Sequence, residues 1–483
     1  MTLFITSLVV LIGGYFVYGL LAERIFGADN SRTTPAYTMN DGVDYMPMPA
    51  WRVFLIQFLN IAGLGPIFGA IMGIAFGPAA FLWIVIGTIF GGALHDYFSG
   101  MISLRKGGIS LPEIVGDELG LKIKQVMRVF SLLLMVLVGA VFVVNPAELL
   151  AGMTPGALDR TFWIGAIFVY YILATLLPID KLIGNIYPLF GAALLFMAVG
   201  LLAVLLFGEV TIPDGISEGL HNRSSDPDAT PIFPMMFVSI ACGAISGFHA
   251  TQSPMMARCL KNEKLGRPIF YGAMVAEGIV ALIWAAATIA FTHGYAGLDS
   301  FMAAHNSSPA ILVNDISISW LGGVGGILAL LGVIAAPITT GDTALRSARL
   351  IAADFLNFSQ KKILNRLAVS VPIFIVTFVV MLVDFNVLWR YFGWCNQTLA
   401  VFTLWAVTVY LARRRKVYIV TLIPAMFMTV VSVSYILFAK VGAGLSLDIS
   451  IGCGLITSLI LLILFSRFLR SLRGVKTVNT DMP

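Results

Sequence analysis

The chain has 483 residues, of which 59% are hydrophobic and only 11% are charged. This apolar content far exceeds the needs of a water-soluble core, so a soluble fold is excluded and a polytopic membrane protein is expected. The net charge of +5 does not indicate nucleic-acid binding, because basic residues of membrane proteins gather in cytoplasmic loops. The four cysteines show no paired spacing and are therefore interpreted as core residues.

Apolar windows of about 20 residues, the length that crosses a bilayer, predict an all-α membrane protein with thirteen transmembrane helices. The first window lacks the basic start and the cleavage site of a signal peptide, so it is expected to be retained. The predicted spans, numbered 1 to 13, cover 2–22, 51–76, 78–99, 127–147, 161–178, 184–207, 232–252, 270–292, 322–344, 366–384, 387–411, 416–438 and 447–468.

The positions of lysine and arginine support this count independently, because cytoplasmic loops carry an excess of both. Of the 30 basic residues, the connections after even-numbered spans hold only four, which are Arg160, Arg223, Arg390 and Lys440. The bias predicts an N-terminus outside and a C-terminus in the cytoplasm. The polar stretches between spans, such as 100–126 and 293–321, have the size of loops. Function is therefore expected inside the membrane bundle.

Predicted span 2 is interrupted in its middle by the sequence NIAGLGP. Its glycines tolerate unusual backbone angles, and its proline suits the first turn of a new helix. Unwound backbone at bilayer depth must be buried in protein or line a wet cavity, and the N-terminus of the second half-helix attracts a carboxylate. The residues predicted to bind substrate here are Asn60, Gly63, Gly65 and Pro66. A glycine-packed helix with a proline kink is the structural alternative.

Predicted span 7 carries a second interruption, CGAISGFH at 242–249. Spans 2 and 7 each begin a block of five helices, and because five is odd the two blocks have opposite orientations. This is the arrangement of an inverted repeat that holds its substrate between two broken helices. Ser246, Gly247 and His249 join the predicted substrate contacts. The predicted organisation is an extra N-terminal helix at 1–22, repeats at 51–207 and 232–411, and two extra helices at 416–468.

Ionisable residues within a span are costly and are therefore candidates for function. In predicted span 9, Asp342 lies among the hydroxyls of Thr339, Thr340 and Thr343. Facing an unwound segment, such a carboxylate can bind sodium or carry a proton. The alternative is a carboxylate at the helix end that pairs with Arg346, one helical turn away.

Further polar residues lie in or beside the spans. His95 and Asp96 close predicted span 3 and are expected to form a gate or cap. The side chains of adjacent residues on a helix point in different directions, so His95 and Asp96 are not an obvious two-ligand metal site. His249 is expected to sense protons or to hydrogen-bond a carboxylate, and the alternative is a satisfied core group. Glu277 is expected to pair with a neighbouring helix. Two amides expected to join helices by hydrogen bonds are Asn396 and Gln397.

Six segments, which cover most of the chain in order, resemble the carbon starvation protein A family. They are GVDYMP (42–47), IAGLGPIFGAIMG (61–73), GALHDYFSGMISLRKGG (92–108), CGAISGFHATQSP (242–254), TTGDTALRSARLIAADF (339–355) and FGWCNQTLA (392–400). The resemblance implies a bacterial inner-membrane nutrient transporter for peptides or, in some members, for pyruvate with protons.

The same resemblance implies a core similar to the leucine-transporter type of the amino acid-polyamine-organocation superfamily, with two inverted five-helix blocks. It implies substrate binding at both breaks, 62–66 and 243–249, and binding of the coupling cation between span 9 and Ala62 of span 2. The chain is shorter than the larger family members, so their substrate does not carry over directly.

The sequence as a whole favours a secondary active transporter that imports a small carboxylate-bearing nutrient, pyruvate or a peptide, by alternating access. The expected coupling ion is H+ or Na+, and the expected partners are substrate and membrane lipid. No cofactor, resident metal or nucleic acid is expected, and the sequence does not specify the oligomeric state. A channel or a nutrient sensor is the alternative. An intramembrane enzyme is disfavoured, since neither an HExxH-type nor a nucleophile motif occurs.

Overall fold

The structure is a computed structural model that describes residues 1–42, 44–176, 183–213, 219–305, 308–360, 362–383 and 385–474. Its regular elements in these ranges are all helices, which confirms the predicted class. The α-helices are α1 Thr2–Phe26, α2 Pro35–Thr38, α3 Ala50–Ala62, α4 Gly65–Ile74, α5 Ala79–Gly87, α6 Ala93–Arg105, α7 Leu111–Leu119, α8 Leu121–Met153, α9 Arg160–Leu176, α10 Ile183–Phe207, α11 Phe237–Ser239, α12 Ala241–Ala244, α13 His249–Ala257, α14 Gly272–Phe291, α15 Tyr295–Ala304, α16 Pro309–Ala329, α17 Ala336–Leu356, α18 Ile363–Val380, α19 Phe385–Arg413, α20 Ile419–Phe438 and α21 Leu447–Gly474. Short π- or 3-10-helical segments occupy Thr88–Gly92, Ile232–Met236, Glu263–Leu265, Arg267–Tyr271 and Leu330–Ala335.

Within the described ranges, ten helices are long and apolar enough to cross a membrane, or eleven when one bent pair counts as a single span. The count of thirteen spans stays a prediction. Predicted span 5 corresponds to α9, which has only 17 residues. Predicted span 7 corresponds to a series of short helices between residues 232 and 257. Within the described residues, neither forms a continuous helix of 18 residues or more.

The helices form an inner and an outer group, which their burial distinguishes. In α14 nearly every residue is buried, including Trp284 at the centre of the bundle. Outer helices instead expose large apolar side chains, such as Val17 of α1, which is 75% exposed, and Leu364 of α18, which is 76% exposed. An apolar exterior around a more polar interior is the pattern that a lipid environment requires.

Loops predicted on the same side of the membrane meet in the structure. The Arg105 guanidinium, which follows predicted span 3, donates to the Gly27 carbonyl at 2.5 Å and to the Glu263 carboxylate at 2.8 Å. Gly27 follows predicted span 1, and Glu263 follows predicted span 7. At the opposite end, the Arg223 N–H after span 6 donates to the Phe76 carbonyl after span 2, at 3.2 Å. The grouping follows the alternation that the basic residues predict.

Several helix bounds differ from the predicted windows. Helix α6 continues to Arg105 and α17 to Leu356, beyond the predicted ends at 99 and 344. The stretches 100–126 and 293–321, predicted as loops, contain α7 and α15. Helix α7 is amphipathic and buries Leu111, Ile114 and Val115. A window that averages hydropathy misses such a helix, because its polar face cancels its apolar one.

Candidate functional site

Predicted span 2 is broken where its glycines occur. Helix α3 ends at Ala62, α4 begins at Gly65, and the two axes differ by 43°. Gly63 has φ −15° and ψ −130°, which is not helical. Pro66 lies in the first turn of α4, where its missing N–H leaves no intrahelical bond unmade. The predicted interruption is confirmed.

Predicted span 7 is also broken. Helix α12 ends at Ala244, Ile245 is extended with φ −156° and ψ 128°, and α13 begins at His249. A second irregular residue, Ile240, separates α11 from α12. Helix α12 therefore lies between two interruptions, which confirms the break predicted from its small residues.

The two breaks are in direct contact. A Cβ added to Gly65 would lie 2.2 Å from Cβ of Cys242, and one added to Gly243 would lie 3.9 Å from Cα of Pro66. The freed carbonyl of Gly243 accepts a hydrogen bond from the Thr88 hydroxyl at 3.0 Å. Only residues without bulky side chains allow the start of α4 to approach α12 this closely.

Helix α19 fixes the unwound backbone of the second break. The Asn396 side-chain oxygen accepts hydrogen bonds from the Ser246 hydroxyl at 3.0 Å and from the Phe248 N–H at 2.7 Å. The Gln397 amide donates to the Ile245 carbonyl at 3.1 Å. These amides join helices as predicted, and they satisfy backbone groups that would otherwise be unpaired inside the membrane.

Replacing Asn396 with alanine should destabilise this break, because the buried Phe248 N–H and Ser246 hydroxyl lose their acceptor. A buried polar group left unpaired costs about 1–3 kcal/mol. We expect a lower unfolding temperature in detergent and weaker substrate binding. The matched control is Thr457→Val, since that hydroxyl bonds only to Cys453 of its own helix and should leave both quantities unchanged. An Asn396→Ala protein as stable as the wild type would contradict the assignment.

Beside the first break, two buried amides lack partners. Asn60 and Gln57 lie in the last two turns of α3 and are both 0% exposed. The side-chain oxygen and nitrogen of each make no hydrogen bond within the part of the chain that the structure describes. Such groups are costly unless water or a ligand satisfies them. Sequence reasoning selected Asn60 but missed Gln57, although a spacing of three residues places both on one helix face.

Helix α17 brings the predicted ion site against the first break. The Thr340 hydroxyl donates to the Leu59 carbonyl at 3.2 Å, and a Cβ on Gly63 would lie 3.1 Å from the same hydroxyl oxygen. Helix α17 therefore packs against the end of α3 and the first break, and the binding of an ion between α17 and Ala62 stays a prediction. The other hydroxyls of the set, on Thr339 and Thr343, donate to carbonyls of their own helix. Their lone pairs remain available to a cation.

Asp342 is fully buried. Its Oδ2 accepts a hydrogen bond from the Tyr187 hydroxyl, and its Oδ1 has no hydrogen-bond donor among the residues described. Arg346, the alternative partner, donates to the Ala174 carbonyl at 2.7 Å and lies 3.7 Å from Asp44. The sequence did not indicate Tyr187, because a tyrosine is uncharged at neutral pH and is common within transmembrane spans.

His95 and Asp96 belong to a second polar cluster. Both residues lie in the first turn of α6, within the continuous helical stretch Ala79–Arg105, and both are 0% exposed. Nδ1 of His95 lies 2.7 Å from Oδ1 of Asp96, and Nδ1 of His249 lies 2.9 Å from Oδ2. Nε2 of His249 lies 3.5 Å from Glu277 Oε2. Their predicted role as a gate stays a prediction.

Comparison with known proteins gives a consistent result. A sequence model described as Carbon starvation protein CstA matches residues 1–157, 151–322 and 321–435. A Haemophilus influenzae chain described as an uncharacterized membrane protein is 47% identical over 60% of this chain and 90% of its own length.

Two similar proteins have functional names. The Campylobacter jejuni peptide transporter CstA is 30% identical over 63% of this chain and 51% of its own length. The Escherichia coli pyruvate/proton symporter BtsT is 27% identical over 58% and 47%, respectively. This chain therefore matches about half the length of each named transporter.

Among solved structures, a manganese transporter from Eremococcus coleocola, in complex with an aromatic bis-isothiourea substituted compound, has a TM-score of 0.53. The match covers 90% of this chain and 99% of that transporter at 12% sequence identity. At this identity the likeness concerns the fold alone.

Proposed function

Because this chain belongs to the carbon starvation protein CstA family, we propose that it is a secondary transporter that imports a small carboxylate-bearing nutrient, a peptide or pyruvate. Transporters of both substrates are among its similar proteins. The observation that carries the proposal is the contact between two broken helices inside the bundle. Broken helices of this kind form the substrate and ion sites of many secondary transporters.

The substrate carboxylate would bind at the N-terminus of α4. Gly65 and Pro66 lie in the first turn of that half-helix. The free N–H groups and the partial positive charge of a helix N-terminus favour an anion. The unpartnered amides of Asn60 and Gln57 offer further donors from α3. From the second break, Ser246, Gly247 and His249 would complete the contacts, which bury the substrate between both halves of the bundle.

The coupling cation, H+ or Na+, would bind beside the first break. Asp342 supplies a carboxylate, and Thr339, Thr340 and Thr343 supply hydroxyl oxygens on the same helix. The carbonyl of Ala62 ends α3 next to this helix. A cation held there would neutralise the buried carboxylate, which is costly to leave charged alone.

Transport would proceed by rocking one set of helices against the other around the site. Every proposed contact residue is buried, as would be expected of a conformation closed around the site. Opening toward one side and then the other would expose α4 and α13 in turn. No chemical step is proposed, in keeping with relatives that are named as transporters.

Uptake by reconstituted protein tests this function. Labelled pyruvate and a labelled dipeptide would be offered to proteoliposomes under imposed proton and sodium gradients. We expect saturable uptake and counterflow of one substrate, stimulated by one gradient. Absence of uptake for both would refute the proposal, and conductance without saturation would favour a channel.

We further propose the bacterial inner membrane, with the N-terminus outside. Exposed Arg414 and Lys440 lie at opposite ends of α20, so cysteines placed there should differ in accessibility. In intact cells, an impermeant maleimide should label Lys440→Cys, whereas Arg414→Cys should react only after permeabilisation. Replacement of the half-buried native Cys453 removes background labelling. The reverse pattern would overturn the orientation.

A further inference from the structure

Four ionisable side chains form a continuous buried chain across three helices. The order of contacts is His95, Asp96, His249 and Glu277, from α6 through α13 to α14. Each side chain is 0% exposed. The mechanism proposed above explains only one of them, His249, and gives the two carboxylates no part.

The contacts define how protons can be shared. Both oxygens of Asp96 meet an imidazole Nδ1, so each ring can donate its Nδ1 proton to that carboxylate. The ends of the chain are open. His95 Nε2 and both oxygens of Glu277 make no hydrogen bond to any residue in the described ranges. With both imidazoles neutral and both carboxylates ionised, the cluster holds two negative charges, which a low-dielectric interior disfavours.

The arginine side chains on two helices that pack against α13 contact groups outside the cluster. Of the helices packed on α13, α17 carries Arg346 and Arg349, which donate to Ala174 and Gln360. Helix α3 carries Arg52 in its first turn, where the guanidinium lies 5.5 Å from the centre of the Trp51 ring.

On α1 and in the segment Arg267–Tyr271, which pack against α6 and α14, Glu23 and Arg267 pair with each other at 2.7 Å. The thiol of Cys242 on α12 bonds to Ser246, and α19 presents the amides of Asn396 and Gln397. Helix α7 carries Glu113, which pairs with Arg128 of α8 at 2.6 Å. Protons are therefore the simplest charge compensation for Asp96 and Glu277.

The cluster is joined directly to the substrate site. His249 is the first residue of α13, immediately after the break that contains Ser246 and Gly247. Asp96 and Glu277 lie on other helices, so any shift of α13 changes both distances from His249. A movement that opens the break would also separate His249 from Asp96, to which it is hydrogen-bonded, and from Glu277, which lies 3.5 Å away.

We propose that the chain His95–Asp96–His249–Glu277 is a proton-binding site that exchanges a proton as the substrate site opens and closes. This inference rests on the proposed transport function and adds a cation site separate from Asp342. A proton enters from water on one side, is held as N–H or O–H, and leaves to water on the other. No other bond changes. By thermodynamic reciprocity, substrate binding must then depend on pH.

A divalent metal fits this cluster less well than a proton. Both oxygens of Asp96 are already engaged by imidazole nitrogens, and a bound metal would have to displace them. Across the described ranges, no group of three or more His, Cys, Asp or Glu side chains is arranged to hold a metal ion.

The test uses Glu277→Gln, which keeps the size of the side chain but cannot ionise. Infrared spectra of the purified protein in lipid, without substrate, recorded over a series of pH values, should show a carboxyl group that gains and loses a proton in the wild type. Glu277→Gln should lose that signal, and Glu148→Gln, at an exposed carboxyl, should retain it. An unchanged signal in Glu277→Gln would overturn the proposal.

Counterflow of labelled pyruvate and of the labelled dipeptide, with equal pH on both sides, gives the second measurement. We expect the apparent affinity of the wild type to change about tenfold across the same series of pH values. The profile should be flat in Glu277→Gln and restored in Glu277→Asp, and Glu148→Gln, at an exposed carboxyl, should keep it. A wild-type profile in Glu277→Gln would overturn the coupling. Loss of the infrared signal together with transport of neither probe would refute the transport function and leave the proton site standing.

Discussion

Replacing Gly65 with alanine should abolish most transport while leaving the protein folded in the membrane. The added Cβ would lie 2.2 Å from Cβ and 2.4 Å from Sγ of Cys242, far inside van der Waals contact. Overpacking of this kind costs about 1–3 kcal/mol, which corresponds to about a 5- to 150-fold loss in the population of the closed site. Initial uptake rates in proteoliposomes measure the effect.

A double variant makes this prediction specific. Gly65→Ala combined with Cys242→Gly removes the colliding side chain and should recover much of the rate. Gly165→Ala is the matched control, because a Cβ there would meet nothing within 4 Å. If Gly65→Ala transports normally, or if the double variant is no better than the single one, the two breaks do not need their close contact.

The breaks themselves could be predicted from sequence because their signal is local. Gly63, Gly65 and Pro66 occur together in an apolar run, and each has a conformational reason to interrupt a helix. The same holds for the small residues before His249. The alternation of basic loops likewise depends only on chain order, which is why it matches the side on which Arg105 meets Gly27.

The clusters could not be predicted, because they depend on contacts between residues distant in sequence. The sequence predicts one shared role for His95 and Asp96, as a gate or cap, and separate roles for His249 and Glu277. No spacing rule relates α6 to α13 or α14. The end assigned to predicted span 3 also placed His95 and Asp96 at the membrane edge, since the polar residues of α6 lower the local hydropathy although they are buried.

The two breaks differ in the ionisable side chains that lie beside them. Beside the first break lies α17, whose Asp342 carboxylate and three threonine hydroxyls suit a metal cation or a proton. The second break presents imidazoles and carboxylates within hydrogen-bonding distance of one another, which suit a proton. Because each break has its own ionisable partner, the two cation assignments can be tested by separate variants.

Asp342→Asn should uncouple transport from its driving gradient. The amide keeps the size of the carboxylate and can still accept from Tyr187, but it cannot hold a cation by charge. Loss of one coupled ion is expected to remove about 1–3 kcal/mol of coupling free energy, or about 5- to 150-fold in accumulation. Accumulated substrate should fall to the level reached without a gradient, whereas counterflow, which needs no net ion movement, should continue.

Accumulation and counterflow must be measured on the same proteoliposomes for this comparison. Glu148→Gln is the control, since its carboxyl is exposed and its loss should leave accumulation intact. Tyr187→Phe removes the hydroxyl donor but keeps the carboxylate, so it should weaken ion dependence without abolishing accumulation. Full gradient-driven accumulation by Asp342→Asn would show that the coupling ion binds elsewhere, with the chain through His249 and Glu277 as the remaining ionisable site described within the bundle.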